Sequence, residues 1–280
     1  MKKKVVVAFS GGLDTSYTVM KLAQEGWDVY AACANTGGFS AEQLKTNEGN
    51  AIKLGAVKYV TLDVTQEYYT KSLKYMIFGN VLRNNCYPIS VSSERIFQAI
   101  AIARYAKEIG ADAIAHGSTG AGNDQIRFDM TFLVMAPGIE IITLTRDKAL
   151  SRKEEVDYLN EHGFFADFTK LKYSYNVGIW GTSICGGEIL DPTQGLPEEA
   201  YLKHVTAKDE EAELKITFEK GEIVAVNGEK FDDKIAAIQK IEEIGASYAI
   251  GRDCNVGDTI IGIKGRVGFE AAAPKLIIEA

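Results

Sequence analysis

Apolar positions along the chain follow two periods in turn. Lys4 to Phe9 is a short apolar, β-branched run of buried-strand type, Leu13 to Gln24 continues at helical spacing, and Gly26 closes that stretch. Asp28 to Ala34 predicts a second strand, Ala41 to Leu54 a helix stopped by Gly55, and Val57 to Leu62 a third strand. Glu94 to Ile109 predicts a helix stopped by Gly110, Ala111 to Ala115 a fourth strand, and Glu140 to Leu144 a fifth. Ser151 to His162 reads as a further helix, with Ser151 and Glu154 at capping-box spacing. Strands alternating with helices predict an α/β fold, a parallel sheet covered by helices on both faces.

After about Asp167 the pattern changes. Residues 169–212 read as irregular and rich in glycine (Gly178, Gly181, Gly186, Gly187). Glu213 to Glu219 and Glu222 to Val226 alternate around Lys220-Gly221, which predicts a β-hairpin. Asp233 to Ile244 predicts an amphipathic helix, Thr259 to Ile263 a strand, and Lys275 to Glu279 is strand-like and apolar. The expected organisation is a first domain over residues 1–168 and a smaller α+β domain over 169–280. At about 150 residues per domain, 280 residues accommodate two. A strand-like run at the last residues reads as a chain cut short.

Composition narrows the function classes. Lys plus Arg is 31 against 38 Asp plus Glu, a net charge of −7 that disfavours a non-specific nucleic-acid binder. No apolar stretch approaches membrane-spanning length, and Lys2-Lys3-Lys4 before Val5-Val6-Val7 is too short for a signal peptide. Cys33, Cys86, Cys185 and Cys254 are scattered without a C-x-x-C pair, and His116, His162 and His204 are equally dispersed. That spacing opposes a zinc site or disulfide scaffold and fits a cytoplasmic protein with reduced thiols.

Ser10-Gly11-Gly12-Leu13-Asp14-Thr15-Ser16 lies between the first predicted strand and the first predicted helix. Two glycines let backbone N–H groups approach an anion, Ser10, Thr15 and Ser16 add hydroxyls, and the helix N-terminus adds partial positive charge. The plain alternative is a Gly-Gly turn with a serine cap. No Gly-Lys dipeptide and no G-x-G-x-x-G occur, so neither a Walker A loop nor a dinucleotide fingerprint is present. Without the lysine, polyphosphate charge falls to backbone dipoles, other cations and a metal ion. Asp14 would either help hold hydrated Mg²⁺ or fix the loop.

A second loop, His116-Gly117-Ser118-Thr119-Gly120-Ala121-Gly122-Asn123-Asp124-Gln125-Ile126-Arg127-Phe128-Asp129, follows the fourth predicted strand and so opens on the same sheet edge. Asp124 offers an anion and Arg127 a planar cation, the mixture a small zwitterion such as an amino acid needs. The plain alternative is a solvated loop whose Asn-Asp caps the next helix.

The first heptad resembles the PP-loop of N-type ATP pyrophosphatases. The H-G-x-T-G-x-G-N-D-Q-x-R-F segment, together with Tyr173-Ser174 and Trp180-Gly181-Thr182-Ser183, is similar to the argininosuccinate synthase family over essentially the whole chain. The resemblance implies an adenine nucleotide alpha hydrolase-like, parallel-sheet nucleotide-binding domain plus a smaller α+β synthetase domain. It implies ATP at Ala8, Phe9, Ser10, Gly11, Gly12, Leu13, Asp14, Thr15, Ser16, Ala34 and Gly117. It implies aspartate at Thr119, Asn123 and Asp124, and citrulline at Tyr87, Ser92, Asn123, Arg127, Ser174 and Ser183. Its cofactors are ATP and Mg²⁺, with no metal-binding residue assigned and no membrane or nucleic-acid partner. The family assembles as a homo-oligomer, a tetramer, through a C-terminal arm beyond this chain's last residue.

The chemistry implied is attack of the citrulline ureido oxygen on the α-phosphorus, release of pyrophosphate, and displacement of AMP by aspartate's amine. It requires no Ser–His or Cys–His nucleophile, so no catalytic residue is assigned, and His116 is expected to orient its loop. The chain departs from the family in three places. Asn176-Val177-Gly178-Ile179 replaces an acidic stretch, Gly257 stands where many members have a citrulline-contacting Glu, and Phe269 where they have a Tyr. Asp258, one position along, is a candidate substitute carboxylate. Loss of that Glu would otherwise suit a citrulline with an acylated, uncharged amine. Competing readings are another PP-loop amide- or thio-forming synthetase and a non-catalytic nucleotide-binding regulator.

Overall fold

The computed structural model describes residues 2–166, 172–203, 208, 210–262 and 264–280. In chain order the first half contains β1 (Lys4–Ala8), α1 (Leu13–Gln24), β2 (Asp28–Asn35), α2 (Ala41–Lys53), β3 (Lys58–Asp63), α3 (Thr65–Tyr68), a π-helical turn (Tyr69–Leu73), α4 (Lys74–Phe78), α5 (Ser90–Glu108), β4 (Ala113–Ala115), α6 (Asp124–Met135) and β5 (Glu140–Ile142). There follow α7 (Leu144–Lys148), α8 (Arg152–Glu161), β6 (Tyr173–Gly178), β7 (Gly181–Gly186), β8 (Ile216–Glu219), β9 (Glu222–Val226), β10 (Glu229–Lys230), α9 (Lys234–Ala246), β11 (Arg252–Asp258), β12 (Lys264–Glu270) and α10 (Ala272–Glu279).

Contacts cluster into two units. The first is Met1–Val64, Arg95–Lys170 and Thr259–Ile261; the second is Thr65–Glu94, Leu171–Asp258 and Gly262–Ala280. The expected boundary at 168 and 169 lies outside the described residues, and the division is not contiguous, because Thr65–Glu94 clusters with the second unit.

The first unit is a five-stranded parallel sheet in the order β3-β2-β1-β4-β5. Its centre is the Val5-Val6-Val7 run, in which no side chain is exposed. Alternation sends Val5 and Val7 to one face, among residues of α1, α2 and α8, and Val6 to the other, among residues of α5 and α6. Burying each valine contributes about 1.5–3 kcal/mol. Both faces are therefore dry, as a parallel sheet requires. β1 is flanked by β2 on one side and β4 on the other, so the strand order reverses there. The carboxyl ends of β1 and β4 form the crevice where such sheets bind ligands.

The second unit holds a four-stranded antiparallel sheet, β11-β12-β7-β6, and a three-stranded one, β10-β9-β8. Several expectations change here. Within the span read as irregular, residues 173–186 form the β6–β7 pair, whose turn buries Trp180 and lets its Nε1 donate to the Pro88 carbonyl at 3.1 Å. Thr259 to Gly262 is the turn between β11 and β12 rather than a strand, because the ladder closes with Asp258 opposite Lys264; Ile263 lies outside the described residues. Lys275 to Glu279 belongs to helix α10, whose Pro274 sits in the first turn, where no helical N–H partner is lost. Asp233 caps α9 instead of starting it, accepting from the Ile235 N–H at 2.9 Å.

Candidate functional site

In the first unit the chain leaves β1 at Ala8 and enters α1 at Leu13 through Phe9-Ser10-Gly11-Gly12. Gly12 caps α1 without any side-chain bond, so the first-turn N–H groups are left for an anion. The Thr15 hydroxyl donates to the Gly12 carbonyl at 3.1 Å and stands 3.4 Å from the Ser10 hydroxyl. Gly11 has φ +82°, and a Cβ there would lie 2.3 Å from Asn47 Oδ1. Asn47 in turn donates to the Ser10 carbonyl at 3.3 Å. Asn47, which sequence reading passed over as one polar residue of α2, braces the loop from behind.

The second loop leaves β4 immediately alongside. Gly117 is so close to the first loop that a Cβ would stand 2.8 Å from Asp14 Cβ. His116 is buried, stacks on Phe128 at 5.4 Å, and has both ring nitrogens in use. Its Nδ1 accepts the Ser118 N–H at 3.2 Å, so Nε2 carries the proton and donates to Asp129 Oδ1 at 2.8 Å. Arg146 donates to Asp129 Oδ2 at 2.6 Å and to Gln125 at 3.2 Å, and Gln125 donates to the Gly120 carbonyl at 2.6 Å. Burial raises the Asp129 carboxyl, but hydrogen bonds from His116 and Arg146 outweigh it and hold the group below its ordinary range. His116 is thus fixed as the hinge pin of its loop, a task consistent with its expected orienting role.

Thr119 is exposed at the loop tip. Asn123 does not cap α6 with its side chain; its Oδ1 accepts the Ile260 N–H at 2.7 Å. Asp124 is held between Arg127 at 2.5 Å and Arg95 at 3.2 Å. This places an anion and two cations at the start of α6. Arg95 gave no sequence signal beyond being one charge on a predicted helix.

In the second unit the register sorts the remaining residues by face. Ser183 opposes both Asn176 and Phe269, and Ser174 opposes Cys185. Ser174, Asn176, Ser183, Cys185 and Phe269 therefore share one face of the sheet with Asp253, Asn255 and Gly257. Segment 83–90 lies on that face: Asn84 donates to Asn255 Oδ1 at 3.2 Å, and the Tyr87 ring meets Phe269 at 5.2 Å. The Tyr87 hydroxyl is a hub, 3.2 Å from the Ser183 hydroxyl, and accepting from Ser90 Oγ and the Val91 N–H at 3.4 Å each. Tyr87 and Ser183 are buried, Ser174 is exposed, and Ser92 is half-buried at the start of α5. Asp258 alternates to the opposite face from Gly257, so it is no substitute carboxylate there. A Cβ at Gly257 would instead be 3.5 Å from Arg83 Nη2.

Three of the four thiols are poor nucleophiles. Burial pushes the Cys33 thiol up to about 11 and raises Cys86 and Cys254, which opposes a thiolating chemistry. Among the described residues no group of three or more His, Cys, Asp or Glu is placed to hold a metal ion, and no helix is long and apolar enough to cross a membrane.

Comparison with known proteins adds to this geometry. Residues 4–164 match the family described as Arginosuccinate synthase N-terminal HUP domain, and residues 173–280 match Arginosuccinate synthase C-terminal domain. The chain is 37% identical to an argininosuccinate synthase of Methanocaldococcus jannaschii, over 100% of this chain and 71% of the relative. It is 35% identical to one of Pyrobaculum aerophilum, over 99% and 70%, and 36% identical to one of Dictyoglomus thermophilum, over 100% and 70%.

Proposed function

Because the chain belongs to the argininosuccinate synthase family, we propose the following division of labour for the ATP-dependent condensation of citrulline with aspartate in arginine biosynthesis. The first unit receives ATP on the backbone cradle from Ala8 to Ser16, with Ala34 and Gly117 beside it. Aspartate is assigned to Thr119, Asn123 and Asp124. Citrulline is assigned to Tyr87, Ser92, Asn123, Arg127, Ser174 and Ser183, the residues the family resemblance implies. One observation carries the reading: two glycine-shaped loops leave neighbouring parallel strands at the switch point and touch at Asp14 and Gly117.

Placement and charge suffice for the chemistry. The ureido oxygen would leave a free citrulline only as hydroxide. Attack on the α-phosphorus converts it to the oxygen of a citrullyl-adenylate and expels pyrophosphate into the cradle. Aspartate's amine, its proton lost, then attacks the ureido carbon and AMP departs. Among the described residues Asp14 belongs to no group of three or more His, Cys, Asp or Glu that could hold a metal ion. No protein cage for Mg²⁺ is present among the described residues, so we assign the ion to the nucleotide's own phosphates, whose charge it would neutralise.

A second reading concerns the substrate's amine. Arg83 stands before Gly257 and Asp258 faces away, so this end of the face favours a citrulline whose amine is acylated and uncharged over one carrying an ammonium. The deciding experiment is pyrophosphate release with ATP, aspartate and either plain or N-acyl citrulline. Formation of AMP and pyrophosphate only when both amino acids are present is expected. ADP and orthophosphate as products would overturn the assignment, and a clear preference for plain citrulline would remove the second reading alone.

A further inference from the structure

Helix α2 buries two residues, Asn47 and Ala51, one turn apart on the same face. Ala51 packs with Leu54 into the apolar cluster around Val5 and Val7. A carboxamide on such a face destabilises the fold unless its groups are hydrogen-bonded. The bond that Asn47 makes leaves its own helix for the first loop: Nδ2 donates to the Ser10 carbonyl at 3.3 Å. Turning the amide over would set Oδ1 against that carbonyl, acceptor against acceptor, so its orientation is fixed. The same amide lies flat against Gly11, where a Cβ would stand 2.3 Å from Oδ1 and 2.9 Å from Cγ. Gly11 also has φ +82°, a backbone conformation that glycine adopts without strain. Helix and loop are fitted to each other at these two residues.

A trans peptide points its C=O and its N–H in opposite directions. A donor that holds the Ser10 carbonyl from the α2 side therefore turns the Gly11 N–H to the other side of the loop. That N–H has no acceptor among the described residues. We propose that Asn47 is a positioning residue of the phosphate cradle: by holding the Ser10 carbonyl it aims the Gly11 N–H at the pyrophosphate part of ATP. This inference rests on the reading of that loop as the phosphate site. The lock matters because glycine resists rotation of its neighbouring peptide less than any other residue does. It matters further because the loop carries no lysine, so its grip on a polyanion depends on how well its backbone dipoles are aimed.

The test compares the wild type with Asn47→Leu, which keeps the bulk of the side chain and removes the donor. Titration calorimetry measures binding of ATP, inorganic pyrophosphate and AMP to each. Kd for ATP and for pyrophosphate should rise roughly tenfold in the variant, the worth of one hydrogen bond to a charged acceptor, while Kd for AMP stays within about twofold. A residue that only supports the fold would lower the urea midpoint without separating pyrophosphate from AMP. Equal changes for all three ligands, or no change for any, overturns the proposal. A crystal structure of the wild type soaked with pyrophosphate decides it without any variant. A pyrophosphate oxygen should lie about 3 Å from the Gly11 nitrogen with Asn47 still on the Ser10 carbonyl, and a Gly11 N–H turned away from the anion overturns it. A wild type that binds AMP but neither ATP nor pyrophosphate would remove the phosphate reading of the loop, and this proposal with it.

Discussion

Replacing Gly117 by Ala introduces one methyl group at the point where the two loops touch. That Cβ would lie 2.8 Å from Asp14 Cβ, 3.2 Å from the Asp14 carbonyl carbon and 3.3 Å from Thr15 Cγ2. Carbon atoms settle at about 3.5–4.0 Å, so the loops must part by roughly 0.7–1.2 Å. The obstructing atoms belong to the first turn of α1 and have no flexible end to swing aside. Overpacking of this kind lowers fold stability by about 1–3 kcal/mol. A misplacement of about 1 Å between reacting groups lowers the rate about 100-fold, which is about 2.7 kcal/mol of lost transition-state stabilisation. The same loop supplies its own control, because a Cβ at Gly122 meets nothing within 4 Å. Steady-state pyrophosphate release should therefore show kcat/KM for ATP falling about 100-fold in Gly117→Ala and staying within about twofold in Gly122→Ala. A Gly117→Ala enzyme as active as the control would show that the two loops do not act as one cradle.

Tyr87→Phe removes the hydroxyl shared by Ser183, Ser90 and the Val91 N–H. KM for citrulline should rise about tenfold, the worth of one buried hydrogen bond, with KM for ATP unchanged in the same assay. Trp180→Phe leaves the Pro88 carbonyl unpaired and opens a cavity in the β6–β7 turn; urea titration should show a loss of about 2–3 kcal/mol. Glu270 is buried with Oε1 lacking a donor, and burial raises its carboxyl above the ordinary range despite Lys203 nearby. A raised folded-state value contributes stability that is complete below the unfolded value and is lost as pH rises through the folded one. The Tm of Glu270→Gln should accordingly gain on the wild type more at pH about 8 than at pH about 5 by thermal scanning, and an equal gain at both would refute the sign.

The parallel sheet was legible because its central strands carry side chains that suit only a buried strand. Lys4–Ala8 reads KVVVA, and Gly26, Gly55, Gly110 and Gly163 mark the ends of α1, α2, α5 and α8 plainly. The helix α8 announced itself through Ser151 and Glu154, which form a complete capping box. By contrast β6 and β7 read YSYNVG and GTSICG, polar and small on the face that carries Ser174 and Ser183. A strand with small and polar side chains on one face loses the apolar alternation by which strands are recognised. The stretch 65–78 was missed for a geometric reason. Its buried Tyr68, Tyr69, Leu73, Met76 and Ile77 straddle a π-helical turn, which shifts the apolar stripe out of the helical period. The two glycine-rich loops were visible as motifs. Residues that pair with them were not: Asn47 and Arg95 read as ordinary surface polar residues until packing set them against the Ser10 carbonyl and Asp124.

The interrupted layout of the second unit has a consequence for how the chain is made. Thr65–Glu94 emerges from the ribosome long before the sheet it joins, since Tyr87 and Ser183 are 96 positions apart and Gln66 meets Asp233 across 167. During that interval Tyr68, Tyr69, Leu73 and Ile77, all buried at the end, have no completed neighbours. Such nonlocal closure is slow, and the waiting apolar surface is where nascent chains self-associate. This stretch is the part of the newborn polypeptide that would most reward protection by a chaperone.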